Sequence, residues 1–177
     1  MKSGEGVEAD RVRGALHRYE GPLLRYALRL TGDLETARDV VQDTFLRLCA
    51  ADRARIDNHL APWLYTVCRN RAFDVLRKEK RMSPLTDAAA AACVSPEPAP
   101  SAAAEQNEAA DTVLAILDTL PANQQEVVRL KFQDGMSYKE ISGVTGHSVS
   151  NVGFLLHTAI KTIRKRLKAT TGLANEA

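Results

Sequence analysis

The stretch Ser137-Tyr138-Lys139-Glu140-Ile141-Ser142-Gly143-Val144-Thr145-Gly146-His147-Ser148-Val149-Ser150-Asn151-Val152-Gly153-Phe154-Leu155-Leu156-His157, continued to Leu167, reads as a short helix, a glycine turn and a longer helix with a basic tail. Ser137 stands three residues before Glu140, the spacing of a capping box in which each side chain satisfies a free amide of the other's residue. Gly143, Thr145 and Gly146 are expected to stop the first helix, and Ser148 or Ser150 to start the second. In the second, Val152, Leu155, Leu156, Ala159, Ile160, Ile163 and Leu167 recur at spacings of three and four, so one face must pack on something. The far end carries Lys161, Arg164, Lys165, Arg166 and Lys168, cations that suit a helix C-terminus and can neutralise phosphates.

A third helix is expected upstream, with Pro121 at its first position, Val127, Val128, Leu130 and Phe132 along it and Gly135 closing it. Three helices with a tight glycine turn match the helix-turn-helix pattern and make nucleic acid the first partner to test. Packing alone also accounts for every apolar residue named, as in a small helical bundle with solvated cations.

The 177 residues suffice for one ordinary domain or two small ones, and a 45% hydrophobic composition supports globular cores. The net charge of +2 hides its distribution. Residues 1–81 sum to +4, residues 82–128 to −7 and residues 129–177 to +5, so two basic blocks flank an acidic middle. Residues 82–107, with an Ala-rich run and Pro96, Pro98 and Pro100, cannot bury a core and read as a flexible acidic linker. Either it is a plain tether or it lies in a cationic channel of a partner built for nucleic acid; composition fits both.

Cys49, Cys68 and Cys93 are not closely spaced, which argues against a disulfide framework and fits a reducing cytoplasm. His17, His59, His147 and His157 lack ligand-type neighbours, so no metal or cofactor is expected. The polar start Met1-Lys2-Ser3-Gly4-Glu5-Gly6 is unlike a signal peptide, and no run reaches 18 apolar residues, so no membrane insertion is expected.

From Val7 to Lys80 the pattern is helical, with breaks expected at Gly21-Pro22, Gly32-Asp33 and a polar loop from Ala51 to Asn58, giving three or four helices. After Asp33, residues Leu34, Ala37, Val40, Val41, Phe45 and Leu48 form an apolar stripe, and Glu35, Asp39, Gln42 and Asp43 fall on the polar remainder. Asp39, Gln42 and Asp43 cluster within little more than a turn, which suits docking on a cationic protein surface, although a solvated face is the default. The next helix has Pro62 near its start, then Trp63, Leu64, Val67, Cys68, Ala72, Val75 and Leu76 at helical spacing. Arg69, Asn70, Arg71, Arg77, Lys78, Lys80 and Arg81 lie between them, against Asp74 and Glu79. An aromatic with cations along one side suits single-stranded bases beside a tracked backbone, though Trp63 could equally be core.

The runs Asp39-Val40-Val41-Gln42-Asp43-Thr44-Phe45-Leu46-Arg47 and Trp63-Leu64-Tyr65-Thr66-Val67-Cys68-Arg69-Asn70-Arg71-Ala72-Phe73-Asp74-Val75-Leu76-Arg77, then Leu120-Pro121 before the helix-turn-helix, resemble the extracytoplasmic-function sigma factors of bacterial RNA polymerase. Three motifs in order and spacing carry the resemblance over about residues 10–80 and 108–168. It implies an all-α chain of two small helical domains: a region 2-like domain over residues 1–81, the linker over 82–107, and a region 4-like domain over 108–177. Asp39, Gln42, Asp43 and Phe45 would dock on the clamp helices of the largest polymerase subunit. Asn58, in the loop that takes a flipped base, with Trp63, Arg69, Asn70, Arg77 and Lys78, would hold the opened −10 element. The second domain, which meets the polymerase flap region, would set its recognition helix in the major groove of the −35 element. The linker would thread the RNA exit path, where its acidity mimics RNA. An anti-sigma factor, often at the membrane, is the further partner the resemblance implies, for a chain itself cytoplasmic.

Two positions depart from the family. The start of the recognition helix supplies no cation, so base reading rests on Ser148, Ser150, Asn151 and His157, phosphate contacts on Lys139, Lys161 and Arg164, and weak or shape-dependent recognition is expected. Gly153 and Phe154 could face DNA or a partner. Arg38 stands where an acid is usual. A stand-alone helix-turn-helix regulator with an N-terminal sensor or dimerisation domain is the alternative; the Trp63–Arg77 helix, suited to unpaired DNA, speaks against it. An enzyme finds no support, since no phosphate loop, nucleophile motif or metal cluster is present in the sequence.

Overall fold

Capping and left-handed glycines cut this chain into helices where the backbone needs them. The computed structural model describes the backbone of residues 3–52, 56, 59–82 and 104–174, and the side chains of 10–52, 56, 59–81 and 110–170. The described residues form α1 (Ser3–Thr31), α2 (Leu34–Ala50), α3 (Leu60–Met82), α4 (Ala104–Asp118), α5 (Ala122–Phe132), α6 (Tyr138–Thr145) and α7 (Val149–Ala174), with no strand among them. The all-α class read from the sequence is the class found. The chain divides into two compact units, Met1–Val94 and Ser95–Ala177.

In the first unit α1, α2 and α3 pack on one another around Leu23, Tyr26, Ala27, Val40, Leu48, Leu64, Tyr65 and Ala72. The break expected at Gly21-Pro22 is absent, because α1 runs through Pro22. Proline costs a helix interior about 3 kcal/mol. Burial of Ala15 on one side and of Leu23, Tyr26 and Ala27 on the other offsets that by holding both halves against α2 and α3. At the next expected break Gly32 adopts φ 75°. Asp33 then caps α2, its carboxylate accepting the Thr36 amide at 2.7 Å, a bond that lowers the Asp33 pKa and keeps the cap charged into mild acid. Leu34, placed on the core stripe from the sequence, is exposed because it is the first residue of α2. In the loop after α2, Ile56 is buried, whereas Asn58 lies outside the described residues.

Cys68 is buried beneath Thr44, and burial pushes its thiol up to about 12 against a smaller opposing effect of the Thr44 hydroxyl. Its folded pKa lies above the ordinary value of 9.0, so this stabilising contribution is complete below that value and is lost as pH rises toward about 12. In a Cys49→Ser, Cys93→Ser chain, a thiol reagent at pH 8 is expected to label Cys68 only after denaturant is added, and the denaturant midpoint to fall above pH 9. Labelling of the folded chain within minutes would show that the thiol is open.

In the second unit α7 packs on α4, α5 and α6, with Leu117, Val127, Leu130, Ile141, Val152, Leu156 and Ala159 in the core. α4 begins at Ala104, inside the stretch read as linker, since Ala104, Glu105 and Gln106 are good helix formers even where they cannot build a core. Pro121 precedes α5 as its cap residue instead of its first helical one. The α4–α5 turn is tied from three sides. Gln125 Nε2 donates to the carbonyls of Asp118 and Leu120 at 3.0 and 2.9 Å, Arg129 pairs with Asp118 at 2.5 Å, and Arg166 reaches Thr119 from α7. Phe132, placed along this helix from the sequence, is exposed at the end of α5.

Candidate polymerase and nucleic-acid interfaces

On α2 the positions Glu35, Asp39, Gln42, Asp43 and Leu46 follow one another at spacings of three and four, on the side opposite the buried Ala37, Val40, Val41, Thr44, Phe45 and Leu48. They are not equivalent. Glu35 is paired with Arg38 at 2.6 Å. Asp43 keeps 32% of its side chain exposed and lies 3.2 Å from Arg47 and 3.1 Å from Arg71 of α3, so it already helps join two helices. The Arg71 Nε is off the hydrogen-bond axis, and that contact is ionic without being a directed bond. Asp39 and Gln42 are exposed, and among the described residues no ion pair engages Asp39. Phe45 is only 6% exposed and shows itself as part of the wall of an apolar groove of about 520 Å3 between α1 and α2, with Val12, Leu16, Leu24, Val41 and Leu46.

Leu46, 62% exposed, is the residue that sequence reasoning passed over. The signal was available: it is an apolar side chain at the C-terminal end of the acidic face. An exposed leucine beside Asp43 and Gln42, at the edge of the apolar groove, can give a docking surface its desolvated centre next to a charged rim.

On α3, Trp63, Asn70 and Arg77 recur every seven residues and share one stripe. Trp63 is half-buried, while Asn70, Arg77 and Lys78 are exposed. Arg77 is paired with Asp74 at 3.3 Å, a solvent-exposed pair that a phosphate can displace. Beside the stripe the Arg69 guanidinium lies 4.7 Å over the Phe73 ring. Phe73, exposed and four residues after Arg69, widens the aromatic surface beyond the lone tryptophan. Aromatic faces alternating with cations can stack unpaired bases and track their backbone.

In the second unit Ser137 accepts the Glu140 amide at 3.3 Å and Glu140 accepts the Ser137 amide at 2.7 Å, the expected capping box. α6 continues through Gly143 and ends at Gly146, where φ is 76°, so Gly146 alone stops it. Three residues, Gly146, His147 and Ser148, separate α6 from α7, the turn length of a DNA-binding pair of helices. Ser142 Oγ donates to the His147 carbonyl at 2.6 Å and fixes that turn. Ser148 starts α7 by accepting the Asn151 amide at 3.2 Å, which commits part of its hydroxyl to the cap. Ser150, His157, Lys161 and Arg164 stand exposed along one stripe of α7, with Asn151 at its edge, and Lys139 is exposed on α6. α7 contains no Asp or Glu, so the Lys and Arg charges of this stripe, which begin at Lys161, have no acidic neighbour on their own helix. Among the described residues no group of His, Cys, Asp and Glu could hold a metal, and no helix is long and apolar enough to cross a membrane.

The family described as Sigma-70 region 2 matches residues 15–82, and Sigma-70, region 4 matches residues 110–163. Over 175 residues the chain is 33% identical to the ECF RNA polymerase sigma factor SigL of Mycobacterium tuberculosis, covering 95% of each. It is 29% identical over 151 residues to SigM of Bacillus subtilis, covering 85% of this chain and 89% of that one. Among solved structures, the sigma factor RpoE in complex with the anti-sigma factor NepR from Bartonella quintana shares the fold, with a TM-score of 0.66, 22% identity and coverage of 88% and 96%. CnrH, solved with the cytosolic domain of CnrY, aligns with a TM-score of 0.53, 25% identity and coverage of 89% and 88%. With two helical units in the family's order and a relative of this identity along nearly its whole length, the chain belongs to the extracytoplasmic-function sigma factors of RNA polymerase.

Proposed function

We propose that this sigma factor works by division of labour between its units. Residues 1–81 dock on the clamp helices of core polymerase through α2 and open the −10 element with α3. Residues 82–107 link the units, and residues 108–177 meet the flap region and read the −35 element with α7. Asp39, Gln42 and the rim of Asp43 contribute charge and polarity to docking, and Phe45 supplies the groove wall. Trp63, Arg69, Asn70, Arg77 and Lys78, with Asn58 from the loop, hold the opened strand. Ser148, Ser150, Asn151 and His157 face bases, and Lys139, Lys161 and Arg164 face phosphates. The chain acts by binding, in the cytoplasm, without catalytic chemistry of its own, and an anti-sigma factor restrains it as in the relatives solved with one.

The observation that carries this reading is the α3 stripe: half-buried Trp63, the Arg69–Phe73 stack, Asn70 and Arg77 on one side of one helix. A regulator of duplex DNA has no use for it, because the faces of paired bases are closed to side chains.

Run-off transcription with core polymerase on a promoter library tests the proposal. Defined start sites are expected with the wild-type chain. Trp63→Ala is expected to lower open-complex formation on duplex promoters tenfold or more, as the loss of one stacked base of about 1–3 kcal/mol implies, and to recover on a template already unpaired at −10. Absence of any start site would overturn the reading.

A further inference from the structure

Phe154 is the one residue on the outward stripe of α7 that neither packing nor phosphate binding explains. It is the sixth residue of the helix and 65% exposed, four positions after Ser150, three before His157 and seven before Lys161. Its neighbours in sequence, Leu155 and Leu156, are buried, so the helix has already met its packing needs without it. Gly153 beside it lies against the Tyr138 ring, where a Cβ would make an ordinary van der Waals contact at 3.6 Å. An exposed phenylalanine in water forfeits the burial of its ring, which a partner can recover.

The surroundings say which partner. Lys161, Arg164, Lys165 and Lys168 continue the stripe, and α7 has no acidic residue to balance them, so the complement is a polyanion. In a helix-turn-helix the N-terminal half of the second helix meets base edges, and Phe154 lies in that half. The apolar group that a major groove presents is the 5-methyl of thymine.

We propose that Phe154 reads the 5-methyl group of a thymine in the −35 element, setting sequence preference where the helix start lacks a cation. This rests on the assignment of α7 to upstream DNA. Ser150 and Asn151, exposed at the N-terminal end, hydrogen-bond the adjacent base edge. Recognition is thus direct at this position, and not a matter of groove shape alone.

The test replaces each thymine of the upstream element, one at a time, with deoxyuridine, which deletes only the methyl. Promoter affinity of the full chain with core polymerase is measured for wild type, Phe154→Ala and Phe154→Leu. One thymine is expected to cost wild type about three- to tenfold when demethylated. Phe154→Ala is expected to start from that loss on thymine DNA and lose nothing more, with Phe154→Leu intermediate. Wild-type insensitivity at every thymine, or undiminished sensitivity in Phe154→Ala, would overturn the proposal. So would a fall in core-polymerase retention by Phe154→Ala, which would make the face a protein contact.

The same scan on duplex selected by the chain alone separates the two readings. If polymerase yields no start site, the sigma mechanism falls and the methyl scan on that duplex still decides Phe154. If no duplex is selected in either format, both fall.

Discussion

Replacing Asp39 by arginine is expected to lower the affinity for core polymerase about a hundredfold or more, with helical content and melting temperature unchanged. Reversal of an interfacial charge removes an attraction and introduces a repulsion, a change of several kcal/mol, and each 1.4 kcal/mol is about tenfold in affinity. Asp39 is the residue to reverse because it is exposed and makes no ion pair among the described residues. Asp43 is a poorer choice, since arginine there would be set against Arg47 and Arg71 and would loosen α2 from α3. Pull-down or fluorescence anisotropy with core polymerase, repeated at raised salt, checks this. Retention at wild-type strength would remove the α2 face from the docking surface. Leu46→Ala is expected to lose about tenfold in the same assay without added salt dependence, since what it removes is desolvated apolar surface.

A second large effect is expected from Tyr65→Ala. Tyr65 is fully buried, and its ring centroid lies 5.0 Å from that of Tyr26 at an interplanar angle of 53°. Truncating a buried aromatic costs about 3–5 kcal/mol, and a three-helix unit of this size stands near the low end of the 5–15 kcal/mol range of domain stabilities. The melting temperature of the first unit is expected to fall by about 15–25 °C, read by circular dichroism, and start-site selection to be lost at 37 °C. Phe73→Ala, on the exposed side of the same helix, is expected to leave melting within about 3 °C while weakening binding to single-stranded DNA. If Tyr65→Ala melted like wild type, the Tyr26–Tyr65 pair could not be the centre of that core.

The two glycine-terminated turns were legible in the sequence because local chemistry decides them. Gly32-Asp33 and the Ser137/Glu140 box stand where spacing puts them, since a left-handed backbone or a free amide has few alternatives. Pro22 was not legible, because the packing of Leu23, Tyr26 and Ala27 outweighs a local penalty that sequence shows without its compensation. Gly143 was misread for a related reason: a helix tolerates one glycine where caps on both sides hold it. The α7 face was largely readable, as one stripe is apolar and the opposite one must be exposed. The α2 face was readable only in part. Periodicity places Asp43 and Asp39 together, yet Arg71 approaches Asp43 from another helix, a tertiary contact that no local pattern announces. Phe45 belongs by period to the core and is found there, opening to the surface only where α1 and α2 leave a groove.

α7 alternates two sets of side chains that do not share work. Val152, Leu155, Leu156 and Ala159 are buried in the bundle, whereas Ser150, Asn151, Phe154, His157 and Lys161 are exposed. On the proposed assignment of α7 to upstream DNA, a duplicated gene can change its promoter preference at outward positions while the scaffold beneath stays as it was. If α7 reads upstream DNA as proposed, transplanting its outward side chains between related factors is expected to shift −35 preference while leaving the melting temperature unchanged, which promoter selection and circular dichroism would check.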